Sequence, residues 1–330
     1  MIKYLYNNER GIIMEPGYAV VIGGANIDIT GKAIGNLAVN ESNIGSVEIT
    51  CGGVGRNICE NLIRLGLKTE FITAFSNDYF GDILKRSCTE IGIGITHSYT
   101  GCDHPSGAYL SLVDKNGDLL SAVCDSTAIT NIPFTFIDKE TELINRAECI
   151  LVDCNLSQEM LEYILCKFYN KNIIAECVSS AKAVKLKRCI KDVAIVKLNT
   201  QEFESLYDMP YDTKNAISMA TKYDNSICVT EGSDGSTRYF KGKLIHVPAV
   251  ETGDIVSVNG AGDAYAAGLV YGNVKGLSML ESMRFASVMS YMTLGKISAV
   301  NADINSDDVI AFSKSYYARR GYDDRLFKRS

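Results

Sequence analysis

The sequence predicts an α/β fold, with a mainly parallel central sheet flanked by helices and a small second β-sheet placed as a lid. Three observations carry this. Short apolar segments recur along the chain with helical stretches between them, the pattern of β-α-β units. Glycine-rich turns lead into helical segments at residues 52–55 and 260–262. Two regions, Ile27 to Thr50 and Gly107 to Cys124, break the alternation with short strand-like runs between turn residues.

Taken in order, residues 1–17 are polar and irregular, and Met14-Glu15-Pro16-Gly17 reads as a break. A strand at Tyr18 to Ile22 ends at Gly23-Gly24. Helical apolar spacing runs from Asn57 to Leu65 and stops at Gly66, a residue that favours helix ends. A strand follows at Glu70 to Ala74, then a helix from Gly81 to about Glu90. Ala108 to Val113 and Leu119 to Val123 flank Asp114-Lys115-Asn116-Gly117, which predicts a hairpin. Further strands are expected at 149–153, 173–176, 195–197 and 226–230, and from Asp263 onward the spacing is helical. No linker or repeat interrupts this order. Residues 18–330 therefore read as one domain, with a lid from about 27–50 and 105–125 and an N-terminal extension at 1–17.

Hydrophobic residues make up 46% of the chain, enough for a sizeable core. A net charge of −6 argues against a nucleic-acid polymer as partner, since that would favour a basic face. The basic stretch Lys182 to Lys191 reads as a solvated helix face. The eleven cysteines contain no C-x-x-C, and His97, His104 and His246 flank no cysteine pair, so neither zinc nor a disulfide framework is expected. No apolar run is long enough to span a membrane and no leader pattern opens the chain, so a cytoplasmic protein is expected.

Chemistry concentrates in Ser257-Val258-Asn259-Gly260-Ala261-Gly262-Asp263. Glycines at a helix start bare backbone N–H groups to an anion, and the helix dipole adds to the attraction. Asp263 in the first turn is either a base beside that anion or a plain helix cap. There is no Walker loop and no dinucleotide fingerprint. In the amino half, Asn26 and Asp28 follow a strand end, and Gly52-Gly53-Val54-Gly55-Arg56-Asn57 turns into a helix. Short polar side chains at such places can hold a polyol, although each stretch alone also reads as a turn and a cap.

GGANIDI, GGVGRN, Lys197 to Glu202, Thr230 to Gly235 and NGAGD stand in the order found in the ribokinase-like (PfkB) carbohydrate kinases, which this chain resembles over about residues 18–315. GGANIDITGK, AYLSLVDKNGDLL and LVDCNLS are most similar to the pseudouridine-kinase branch. The resemblance implies a three-layer α/β/α core with a lid, and transfer of a phosphoryl group from ATP to a primary hydroxyl, here the 5′-hydroxyl of a ribonucleoside. It implies Asp263 as the base and the amides of Gly260, Ala261 and Gly262 as the anion hole. It places Asn199 and Glu202 at Mg²⁺, mostly through water. Lys197, Asn199, Glu202, Thr230, Gly232, Gly235 and Asn259 fall to the nucleotide. Asn26, Asp28, Gly52, Gly53, Asn57, Tyr109, Ser111 and Asn155 fall to the substrate. A homodimer through the lid is expected as well. Alternatives are another nucleoside, a free sugar such as ribose or fructose, or a non-catalytic sensor of such ligands. Departures are Glu176-Cys177-Val178-Ser179, where that branch has Asp-Pro-Val-Ser, and Leu198 in place of a proline. Ser257-Val258-Asn259 replaces a motif whose first residue helps a K⁺ site, which leaves K⁺ activation open.

Overall fold

The computed structural model describes residues 17–36, 38, 40–251 and 255–320, so all of the 1–17 extension but Gly17, and the last ten positions, lie outside the described residues. Fourteen strands are present among them. They are β1 (Ala19–Ile22), β2 (Asn26–Ala33), β3 (Gly45–Gly52), β4 (Thr69–Ile72), β5 (Ala74–Ser76), β6 (Tyr99–Cys102) and β7 (Ala108–Val113), then β8 (Leu119–Asp125), β9 (Cys149–Asp153), β10 (Ile173–Glu176), β11 (Ile195–Asn199), β12 (Ser226–Thr230), β13 (Ser236–Phe240) and β14 (Lys243–Val247).

The large sheet has eight strands in the order β14-β13-β12-β11-β10-β9-β1-β4. Pairing from β4 to β12 is parallel, and only the β12-β13-β14 edge is antiparallel. Every residue of β1, β9 and β10 is buried, as expected for parallel strands covered on both faces. This is the ribokinase-like α/β architecture expected from the sequence. The β13-β14 edge was not anticipated, although its signal is present: Lys241 and Gly242 both take positive φ, as a tight two-residue hairpin turn requires. The helical stretch expected from Asp263 onward is three helices, Ala261–Val274, Met279–Leu294 and Ser306–Arg319. Ser278 opens the second with a capping box to Glu281.

A second sheet of four strands has the order β3-β2-β7-β8. Its two hairpins are joined by parallel pairing of β2 with β7. Register puts Asp28, Tyr109 and Cys124 on one face and Ile29, Ile49, Leu110 and Val123 on the other. Ile49, Leu110 and Val123 are 48% or more exposed, so the outer face is apolar and bare.

The helix Ala261–Val274 packs against Met279–Leu294 with Tyr271 stacked on Phe285, ring centroids 4.6 Å apart. The approach is close because Gly268 has no side chain; a Cβ there would lie 2.5 Å from the Ala286 Cα. We expect Gly268→Val to destabilise the fold by about 1 to 3 kcal/mol, the usual effect of overpacking a tight core. Urea denaturation of the two proteins measures it, and an unchanged midpoint contradicts this packing.

Candidate active site

Gly260 sets the start of the helix Ala261–Val274. Its φ is 78°, and a Cβ there would lie 1.8 Å from the Ala299 carbonyl oxygen, so only glycine fits. Among the described residues the N–H groups of Gly260 and Gly262 have no partner, and that of Ala261 makes only a long 3.4 Å bond to Val258 O. Such unpaired N–H groups at a helix start attract an anion. Asp263 is the third residue of the helix, one turn inside its N-cap Gly260. Its Oδ2 accepts a 2.9 Å hydrogen bond from Asn57 Nδ2, on the helix Val54–Arg64.

Two cavities meet here. The larger, about 710 Å³, is lined by Lys197, Asn199, Glu202, Thr230, Gly232, Gly235, Ala261, Gly262 and Asp263. The smaller, about 440 Å³, is lined by Asn26, Asp28, Gly53, Asn57, Tyr109 and Asn155. Nearly all the residues singled out in the sequence therefore converge on two adjoining spaces at the carboxyl ends of the parallel strands. Gly52, Ser111, Asn259 and Gly260 line neither space, Gly260 standing at the N-cap just before the lining residues Ala261 and Gly262. A Cβ on Gly52 would come within 2.1 Å of Asp28 Oδ2, so this glycine backs the carboxylate instead of lining the space. The Ser111 hydroxyl is paired with Thr30 Oγ1 at 3.0 Å, one step outward from Tyr109 on the same face. Asn259 is exposed, and its N–H donates to Ser257 Oγ at 3.1 Å.

Charge is arranged in a chain through the site. Burial pushes the Asp263 carboxyl up to about 6, although the Asn57 bond and Lys197 pull it down. An aspartate in water titrates near 3.8, and the depth of the group accounts for the difference. Asp28 is pushed to about 6 by burial as well, against a hydrogen bond from Asn26 and the charge of Arg56. Burial also raises Asp153, whose carboxylate accepts the N–H groups of Gly24 and Asn155, each at 2.8 Å. Lys197 is buried beside Glu176, its Nζ 2.9 Å from Oε2. Burial works against its charge, but Glu176, Glu202 and Asp263 outweigh that and hold the proton on.

Asn199 and Glu202 form a capping box: Asn199 Oδ1 accepts the Glu202 N–H and Glu202 Oε2 accepts the Asn199 N–H, both at 2.8 Å. One carboxylate oxygen of Glu202 remains for the cavity. Among the described residues no group of three or more His, Cys, Asp or Glu converges to hold an ion. That donor set fits Mg²⁺ held through water and phosphate oxygens, not a cage of protein ligands.

Sequence reasoning missed Lys182, Ser179, Asp125 and Val178, all of which line the smaller cavity. Lys182 is a correction. It was read as part of a solvated helix face, yet its Nζ donates to Asn155 Oδ1 at 2.6 Å inside the site. Lys185 likewise turns inward and bonds the carbonyls of Cys154 and Leu156 at 2.9 and 2.8 Å. Their segment is a short helical turn and a 3-10 stretch, so regular helical spacing could not reveal which lysines point in.

Comparison with known proteins gives the family. The profile of the pfkB family carbohydrate kinases matches residues 17–305. The chain belongs to this family. Its members are phosphotransferases with alcohol acceptors. Pseudouridine kinase of Escherichia coli (strain K12) is 32% identical, over 90% of this chain and 96% of its own length. A solved carbohydrate kinase from Agrobacterium tumefaciens is 26% identical with a TM-score of 0.78, covering 90% of this chain and 97% of its own. Arabidopsis thaliana ribokinase, solved with ribose and ATP, shares the fold at a TM-score of 0.81 and 20% identity, over 91% of this chain and 99% of its own.

The Asp263 shift has a consequence for stability. A carboxyl whose folded value, about 6, lies above its ordinary 3.8 binds its proton more tightly when folded. Its charge therefore weakens the fold above about pH 6, and the penalty fades as pH falls toward 4. We expect Asp263→Asn to be more stable than the parent by roughly 1 to 3 kcal/mol at pH 7.5 and equal to it near pH 4. Thermal melts at both pH values test this; a less stable variant at pH 7.5 contradicts it.

Proposed function

We propose that this protein is an ATP-dependent kinase that phosphorylates the 5′-hydroxyl of a ribonucleoside, with pseudouridine as the substrate and pseudouridine 5′-phosphate as the product. The observation that carries this is the placement of Asp263. It lines the larger cavity and is bonded to Asn57 of the smaller one, so it can serve both an ATP phosphate and an acceptor hydroxyl.

In this reading the larger cavity takes ATP, with Thr230, Gly232 and Gly235 along the nucleotide. The amides of Gly260, Ala261 and Gly262 hold the phosphoryl group in flight, with the Lys197 ammonium beneath Gly262. Asn199 and Glu202 hold Mg²⁺ through water, and the ion neutralises phosphate charge when bound. Asn26, Asp28 and Asn57 hold the ribose hydroxyls. Asp263, ionised at neutral pH, accepts the proton of the attacking hydroxyl.

Pseudouridine is favoured over amino-bearing bases by the far end of the smaller cavity. An ammonium offers only donors, and Lys182 gives one to Asn155 Oδ1 and one to Cys124 Sγ, leaving a third for a carbonyl oxygen of a uracil ring. The identity to the E. coli enzyme supports the same choice. The small sheet serves as the lid over the ribose. Its bare apolar face supports a homodimer made through that sheet. All eleven cysteines are free thiols, which fits the reducing cytoplasm.

Two measurements test the reading. ADP release with pseudouridine, uridine, cytidine, inosine, adenosine, ribose and fructose should be fastest with pseudouridine; turnover on a free sugar and on no nucleoside overturns the nucleoside assignment. Asp263→Asn should lower kcat by about 10² to 10⁴ with little change in KM. In the parent, kcat/KM should fall tenfold per pH unit below about pH 6, following the raised Asp263. A limb near pH 4, or an active Asp263→Asn, removes Asp263 as the base.

A further inference from the structure

Val178 has a backbone conformation that its side chain disfavours. Its φ is 68°, and the Ser179 N–H donates to Cys177 O at 2.7 Å, closing a γ-turn of the rare positive-φ kind. For a β-branched residue this is a true outlier, and such strain persists only where the surroundings impose it. The surroundings do so here. The Val178 N–H donates to Glu176 Oε1 at 3.2 Å, and the Cys177 N–H donates to Lys197 O at 3.3 Å. Glycine would take this φ freely, so the presence of a valine points to a use for its side chain.

Position supplies that use. Glu176 lines the larger cavity and Ser179 the smaller, so the chain crosses from one to the other at Val178. Among the described residues, Val54 and Val178 are the two that line both cavities. Beside them runs the polar crossing, the Asn57 to Asp263 hydrogen bond. The seam between the cavities is thus one hydrogen bond flanked by two branched apolar side chains.

We propose that Val178, with Val54, is an apolar partition that keeps water off the line of phosphoryl transfer and so sets the ratio of transfer to hydrolysis. In transfer, the acceptor oxygen bonds to the γ-phosphorus and the bond to the β–γ bridging oxygen breaks. Its electron pair leaves with ADP, and the hydroxyl proton passes to Asp263. Water in the acceptor's place runs the same step and yields inorganic phosphate. Asp263 serves either nucleophile, so the choice between them falls to what can reach the seam. This rests on the phosphotransferase chemistry of the family and not on which acceptor is used.

The test uses Val178→Gly and Val178→Thr. The glycine variant removes both side chain and strain, and the strain released offsets the packing lost against the core and the added freedom of the unfolded chain, so its thermal midpoint should stay near the parent's. Phosphate release from ATP with Mg²⁺ and no acceptor should rise about tenfold or more. With an acceptor the parent turns over, product formed per ADP should fall from near one to well below it. The threonine variant keeps the shape, adds a hydroxyl at the seam, and should shift both readings the same way by less. If the variants fold, keep the ratio near one and release no more phosphate than the parent, the proposal is wrong. Should the glycine variant fail to fold, the threonine variant decides by the same ratio. Because the acceptor-free reading needs no nucleoside, it still decides if the substrate panel rejects pseudouridine.

Discussion

A single hydrogen bond of 2.9 Å joins Asn57 to Asp263, residues 206 positions apart. Each stands in the first turns of a helix, and each helix is opened by a glycine at positive φ, Gly53 and Gly260. The contact requires two helices, from opposite ends of the chain, to begin at the same point above the sheet. The parallel strands β1, β9, β10 and β11 bring that about, because their carboxyl ends all open on the same side. The anion-attracting amides, the buried lysine and the two cavities take their places relative to this contact.

The acids around it are expensive to bury, and the structure meets that cost with donors. Asp153 takes two backbone N–H groups, Asp28 takes Asn26, and Asp263 takes Asn57. Lys197 lies near enough to Glu176, Glu202 and Asp263 to keep its proton despite burial. Asp263 is left with one donor and a raised affinity for protons, a state close to that of a group that must accept one and give it back.

The central architecture was legible in the sequence because strand and helix periods differ and the turns are marked by glycine. The strands at 149–153, 173–176 and 226–230 sit at the residues their apolar runs indicate. NGAGD and GGVGRN were readable because a backbone that must come close to something tolerates few residue types. Lys182 and Val178 were not readable. Whether a lysine on an irregular turn points inward depends on what packs around it, here Asn155 from another strand end. The φ of Val178 is imposed by the Glu176 and Lys197 neighbourhood, and nothing in the residue type announces it. The separation of Ser111 from the cavity was equally hidden, since its partner Thr30 lies 81 residues away.

The small sheet draws its strands from two stretches, residues 26–52 and 108–125, whose strands pair with each other along the β2–β7 seam. Asp28 and Tyr109 are register partners on that seam, so the two stretches present their cavity-facing side chains as a matched pair. The pairing therefore couples the two hairpins. Whatever one hairpin presents to the smaller cavity is thus matched against the other across a seam that joins residues about eighty positions apart in the chain.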